Sequence, residues 1–250
     1  MGLFSIFRKK EKAQGPPADL SLLKCDIHSH FIPGIDDGAQ TMEDSMILLK
    51  SLEEFGYKKA ITTPHIMGDH FRNTPEIIRN GLDELRITLK SASYRIDVDA
   101  AAEYYFDSEF SSKISEKNLM TFGDRYVLFE LSYLNAPDGL QEIIFQMQTS
   151  GYKPVLAHPE RYPFWYASPE KYAEIKAKGV LLQLNINSLT GFYSPAAKKT
   201  AEWLIDQNLI DFLGTDCHHA GHIRLMQKAV HENHLKKLID SGRLLNPGLI

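Results

Sequence analysis

Apolar, β-rich runs recur along the chain at Leu22–His28, Lys59–Pro64, Ile96–Glu103, Tyr126–Leu131, Pro154–His158, Val180–Asn187 and Asp211–Asp216. Several are almost continuously apolar, the pattern of strands covered on both faces. Between them lie stretches with apolar residues at helical spacing. Thr41–Phe55 opens on Thr-x-x-Asp, a capping-box pattern, and ends at Gly56. Thr74–Ser91 is amphipathic, and Ser168–Lys178 opens on Ser-Pro-Glu and stops at Gly179. Further helices are expected over Asp138–Thr149, Pro195–Gln207 and Ile223–Ile239. Strand–helix alternation predicts a parallel sheet. About seven such units predict an α/β protein whose sheet is a closed or nearly closed barrel.

The first 21 residues break this pattern. An apolar hexamer precedes a basic cluster and then Gly15-Pro16-Pro17. That order is the reverse of a secretory signal, and Ile6 stands where a myristoylation signal needs Ser or Thr. Residues 1–21 are therefore expected to form a flexible tail, with weak contact to a membrane surface or partner as the alternative. Residues 22–250 are expected to form one domain, with no internal repeat.

Composition narrows the setting. At 43% hydrophobic and 24% charged, the 250 residues suit a globular protein. A net charge of −4 gives no electrostatic pull toward nucleic acid. No run approaches the roughly 20 apolar residues of a membrane helix. Two cysteines, Cys25 and Cys217, fit a reducing cytoplasm. Neither sits in the Cys-x5-Arg arrangement of cysteine-dependent phosphatases.

The chemically active residue types fall at the C-terminal ends of the strands, where barrels build their sites. The first strand ends in Asp26-Ile27-His28-Ser29-His30, so alternation turns Asp26, His28 and His30 to one face. Later ends carry His65, Glu103, Glu130, His158 with Arg161, and Asp216 with His218. Glu130 stands inside the apolar run Val127–Leu131, and an unpartnered buried carboxylate is costly. A metal cation supplies the partner. With Asp37 from the loop after His30, the candidate ligands are His28, His30, Asp37, His65, Glu103, Glu130, His158, Asp216 and His218. Nine ligands suit two or three ions sharing bridging carboxylates. Nitrogen and oxygen donors without sulfur favour manganese, zinc or iron(II), with magnesium at an oxygen-rich position. Both cysteines are expected to face away, and Asp26 is expected to orient an imidazole.

These residues, with "DIHSHFIPGIDDGAQTMEDS", "TTPHI", "AAEYY", "LFELS", "LAHPERY" and "LGTDCHH", resemble the polymerase-and-histidinol-phosphatase (PHP) superfamily over residues 22–250. Within it they are similar to the bacterial manganese-dependent tyrosine phosphatases encoded with capsule and exopolysaccharide genes. The resemblance implies a distorted (β/α)7 TIM-like barrel with a trinuclear site. It implies hydrolysis of phosphotyrosine on a partner tyrosine autokinase that controls polysaccharide export. Arg161 matches a phosphate-binding arginine, and Arg224 stands as a second candidate.

In the mechanism this implies, metal coordination lowers the pKa of a water, which attacks phosphorus as hydroxide while Arg161 holds the equatorial oxygens. The departing phenolate is either stabilised by a metal or protonated through an acid near Asp37 or His218, which the sequence does not assign. Tyr104, Tyr105, Phe106, Tyr162, Phe164, Trp165 and Tyr166 crowd the same loops, either framing a phenyl ring or packing loops onto the barrel. The metal ligands do not separate this activity from a histidinol-phosphatase-like or other small phosphomonoesterase. A nuclease would want a basic stripe, and none is visible. A non-catalytic metal-binding module would be expected to have lost ligands. The oligomeric state stays open.

Overall fold

Residues 16–250 are described by the computed structural model of the chain. Nine short parallel strands occupy seven positions. In order they are β1 (Cys25–Asp26), β2 (Lys59–Thr62), β3 (His65–Ile66), β4 (Asp97–Ala100), β5 (Glu103–Tyr105), β6 (Tyr126–Glu130), β7 (Lys153–Ala157), β8 (Leu181–Asn185) and β9 (Phe212–Gly214). The second and third expected strands are each broken in two. Pro64 has no N–H to give the ladder, so β2 gives way to β3 around it. Pairing nevertheless continues past both breaks, since Ala101 N donates to Thr62 O and Glu103 N to Pro64 O.

β1 pairs with β2 and β2 with β4, while β3, β5, β6, β7, β8 and β9 follow one another in a second sheet. A parallel bridge between Ser29 and Cys217 brings the last strand back to the first. Asp216 N donates to His28 O and His30 N to Cys217 O on either side of it. The seven positions thus run in a ring, the distorted (β/α)7 barrel expected.

Two apolar clusters support this ring. The smaller gathers Cys25, Ile27, Ile61, Ala101, Leu128, Val155, Ala157 and Phe212 from most strand positions. Alternation then sets the polar layer above it: Glu103 is two residues beyond Ala101, Glu130 two beyond Leu128, and Asp216 four beyond Phe212. The larger cluster joins the outer strand faces to the helices.

The helices are α1 (Met42–Glu54), α2 (Pro75–Ser91), α3 (Phe110–Ser115), α4 (Leu140–Thr149), α5 (Glu170–Ala177), α6 (Pro195–Asp206), α7 (Ala220–Ala229) and α8 (Asn233–Asp240). The Thr41–Asp44 capping box of α1 forms in both directions. Ser168 caps nothing with its side chain; α5 starts from Pro169. The single helix expected over Ile223–Ile239 is two, because Glu232 is extended and ends the helical path after Val230. The short α3 was not expected.

The chain entry also differs. Leu20–Leu23 form a 3-10 turn, and Lys24 at φ +60° separates it from β1, which is why the first strand is so short. Ala18 and Leu20, placed in the expected tail, are buried, and Ala18 N donates to Val230 O. The expected apolar hexamer and basic cluster lie outside the described residues. Among the described residues no helix is long and apolar enough to cross a membrane.

Candidate metal centre

All nine candidate ligands meet at one end of the barrel. Their donor atoms fall into four overlapping groups, each within 4.8 Å: His30, Asp37, His65, His218; His28, His30, Asp216; His28, Glu103, His158; and His65, Glu103, Glu130. Glu103 is the hub. Its Oε2 lies 3.1 Å from His28 Nε2, 3.2 Å from His65 Nδ1 and 3.6 Å from His30 Nε2, and its Oε1 lies 3.1 Å from His158 Nε2. Asp216 Oδ1 sits 3.4 Å from His28 Nε2 and 3.5 Å from His30 Nε2. Asp37 Oδ1 lies 3.3 Å from His218 Nε2 and 3.5 Å from His65 Nε2. Its side chain is 56% exposed, which places it on the open side.

Burial by itself would raise Glu103 and Asp216. The imidazoles around Glu103 override it, and so do His28, His218, His30 and Arg161 around Asp216, holding both carboxyls well below the usual range. Conversely, burial would lower His28, but Glu103 and Asp216 lift it to about 9.

The donor set fits divalent ions. His30 Nε2 and His65 Nδ1 are buried and have no hydrogen-bond partner. Unpaired imidazole nitrogens facing shared carboxylate oxygens are what a cation of this class takes up. Two of the residues carry a backbone suited to the task at some expense. His158 (φ +33°) and Asp216 (φ +48°) are left-handed at the strand ends, a conformation costing on the order of 1 kcal/mol or more outside glycine.

The Asp-Asp-Gly turn divides its roles. Asp36 Oδ2 is 2.7 Å from His30 Nδ1 and accepts from His65 N, while its Oδ1 accepts from Gly38 N. Asp37 faces the cavity. A Cβ on Gly38 would lie 2.3 Å from His30 Cβ and O, so only glycine lets the turn close on His30.

Asp26 does not orient an imidazole. Its oxygens accept from Thr215 N and Oγ1, both at 2.9 Å, because β1 ends at Asp26 and alternation lapses before His28. Burial pushes its carboxyl up to about 6. The imidazoles are oriented instead by Gln183 Oε1 (2.8 Å from His28 Nδ1), by Asp36, and by the Asp216 carbonyl (2.9 Å from His218 Nδ1). Gln183 escaped notice in the sequence. A lone amide inside the apolar run Val180–Leu184 carried the same signal as Glu130.

A cavity of about 330 Å³ opens above these groups, lined also by Tyr133, Arg161, Tyr193, His219 and His222. Arg161 does not pair with Glu160; it donates to Asp216 Oδ2 at 2.8 Å. Arg224 is exposed on α7 and is not among the lining residues. Of the two roles open to the loop aromatics, packing is the one seen, and none of the seven lines the cavity. Tyr104, Tyr162 and Trp165 are buried, Tyr162 OH bonding Ala157 O and Leu131 N. Tyr133 and Tyr193, from other loops, take that place. Burial pushes the His222 imidazole down to about 4, against Asp216, so it stands neutral.

Comparison with known proteins agrees with this geometry. The family described as capsular polysaccharide synthesis, CpsB/CapC, matches residues 24–241. The chain is 29% identical to the tyrosine-protein phosphatase YwqE of Bacillus subtilis over 77% of its length and 76% of the relative's. Among solved structures it resembles a chain from the crystal structures of YwqE from Bacillus subtilis and CpsB from Streptococcus pneumoniae, metal-dependent tyrosine phosphatases. That likeness has a TM-score of 0.78 and 25% identity, covering 90% of this chain and 94% of that one. A lactonase of Listeria monocytogenes, 11% identical with a TM-score of 0.51 over 90% of this chain and 86% of its own, shares the fold alone.

Proposed function

This chain belongs to the CpsB/CapC family of capsular polysaccharide synthesis, and from that membership we propose that it is a metal-dependent protein-tyrosine phosphatase. The observation that carries the reading is Glu103: a fully buried carboxylate reached by four imidazoles at 3.1 to 3.6 Å, beneath a cavity with one guanidinium at its edge. Such a centre suits a phosphate monoester, whose charge needs cations on several sides.

His28, His30, Asp37, His65, Glu103, Glu130, His158, Asp216 and His218 would hold two or three ions, with manganese as our assignment and zinc, iron(II) or magnesium as substitutes. Ions of this kind supply Lewis acidity and a nucleophilic water at neutral pH. Arg161 contributes N–H donors to the phosphoryl oxygens, where a planar fork suits two oxygens at once. Gln183 and Asp36 fix the tautomers of His28 and His30 by engaging Nδ1, so that each presents Nε2 to the centre. Asp37 and His218, 3.3 Å apart on the open side, are the groups best placed to pass a proton to the departing phenolate. The substrate we assign is a phosphotyrosine protein in the cytoplasm, a tyrosine autokinase of the polysaccharide export apparatus.

The test is phosphate release from a tyrosine-phosphorylated peptide with added manganese and with a chelator, with histidinol phosphate alongside. Manganese-dependent release from the peptide, well above that from histidinol phosphate, is expected. Turnover of histidinol phosphate alone would move the chain to a small-molecule phosphomonoesterase. Metal binding without turnover of either would leave a binding module.

A further inference from the structure

Arg161 has a long, flexible side chain, and ordering such a chain opposes any anion it binds. The structure provides three restraints on it. The guanidinium carbon lies 4.1 Å from the ring centre of Tyr193 and 4.8 Å from that of Tyr133. Nη1 donates to Asp216 Oδ2 at 2.8 Å. The buried amide of Asn185, at the end of β8, donates to that same Asp216 Oδ2 at 2.8 Å and lies 2.9 Å from the Tyr193 hydroxyl. Arg161, Asp216, Asn185 and Tyr193 therefore close a ring of contacts. Asp216 faces two ways: Oδ2 serves this ring, while Oδ1 faces His28 and His30.

We infer that Tyr193, tethered by Asn185 and assisted by Tyr133, is a positioning residue that immobilises the Arg161 guanidinium for phosphate and ties its placement to the carboxylate of the metal centre. The assignment rests on the phosphatase reading for the identity of the anion. Two aromatic faces against one cation attract it through their quadrupoles and leave its edge for hydrogen bonds. One edge donor is spent on Asp216, and the others are held in a plane that the rings define. Neither tyrosine is a ligand or an acid here. Their effect acts through Arg161, before any bond is broken.

The test uses the full chain loaded with diamagnetic zinc, with Tyr193→Leu and Tyr193→Phe beside the wild type. Two quantities are read: the dissociation constant of inorganic phosphate by calorimetry, and the mobility of the Arg161 Nε–H by nitrogen-15 relaxation. In Tyr193→Leu the dissociation constant is expected to rise about tenfold, the scale of one cation–π contact with its ordering, and the Arg161 Nε–H to become mobile. Tyr193→Phe keeps the ring and is expected to restore most of both. Should Tyr193→Leu fail to fold, Tyr133→Leu replaces it with the same expectations. Unchanged phosphate affinity in the leucine variant overturns the inference, whether or not Arg161 loosens. So does a loss that phenylalanine fails to recover together with a rigid Arg161. Neither readout needs turnover, so absence of phosphatase activity in the wild type would overturn the functional reading separately.

Discussion

His30 and Asp36 form the closest imidazole–carboxylate pair of the site, with Nδ1 and Oδ2 2.7 Å apart and both side chains buried. Burial would raise Asp36, but the charge and hydrogen bond of His30, with the Gly38 N–H, hold its carboxyl far below the usual range. With an ion bound, the pair would keep the His30 proton on Nδ1 and leave Nε2 for the centre.

Asp36→Ala should therefore weaken metal binding about 10- to 100-fold, the usual scale for losing a group that orients a ligand. Asp36→Asn keeps an acceptor for His30 and should lose less. Metal titration of both variants checks this, and wild-type affinity in both would show that Asp36 does not orient a ligand.

Much of this site was legible because chemistry and periodicity coincide. Imidazoles and carboxylates recur at strand ends, and a buried Glu130 is hard to explain without a cation. What failed is what alternation cannot supply. Asp37 faces the cavity, but nothing in the sequence marks its neighbour Asp36 as the group that holds His30, because the turn that sends it there has no sequence period. Asp26 was misassigned because β1 stops before His28. For Tyr162 and Trp165 the sequence leaves framing and packing both open, because direction within a loop has no sequence period; both pack into the core. The break between α7 and α8 has neither Gly nor Pro to mark it, while the apolar spacing runs on through Leu235 and Leu238.

Stripping the metal should cost both activity and stability. Glu103 and Asp216 are buried, and without a cation the protonated imidazoles must neutralise them, as the rise of His28 to about 9 reflects. Metal and protons thus compete for the same nitrogens. Manganese at about 100 times its dissociation constant should raise Tm by about 5–10 °C over chelated protein in a thermal scan. Its affinity should fall as pH drops from 8.5 to 6. A pH-independent affinity would contradict ligation through these imidazoles.

Arg161→Lys keeps the charge but loses the plane that Tyr133 and Tyr193 enclose. It should lower kcat/KM on a phosphotyrosine peptide by about 10²- to 10³-fold, the range for removing one oriented donor to a developing anion. Steady-state kinetics at saturating manganese decide this. A loss below about threefold would mean that charge alone suffices there.

Glu160 offers a test in the unfolding equilibrium. It is fully buried; its Oε1 accepts from Ser188 Oγ at 2.6 Å and Asn185 N at 3.1 Å, while Oε2 has no partner. Burial pushes its carboxyl up to about 7, against those two hydrogen bonds. The folded pKa thus stands above the value of about 4.3 for an unfolded chain, so the protonated side chain favours the fold. That contribution is complete below the unfolded pKa and disappears as pH rises through about 7. Glu160→Gln keeps an acceptor for Ser188 and Asn185 and has no charge to bury. The stability of the glutamine variant relative to wild type should therefore rise between pH 5 and pH 8, by on the order of 3 kcal/mol. Urea unfolding of both proteins at several pH values, under the same metal conditions, isolates the effect, because the other titrating groups are shared. A difference that stays flat from pH 5 to 8 would show that Glu160 ionises in the folded protein as easily as in water.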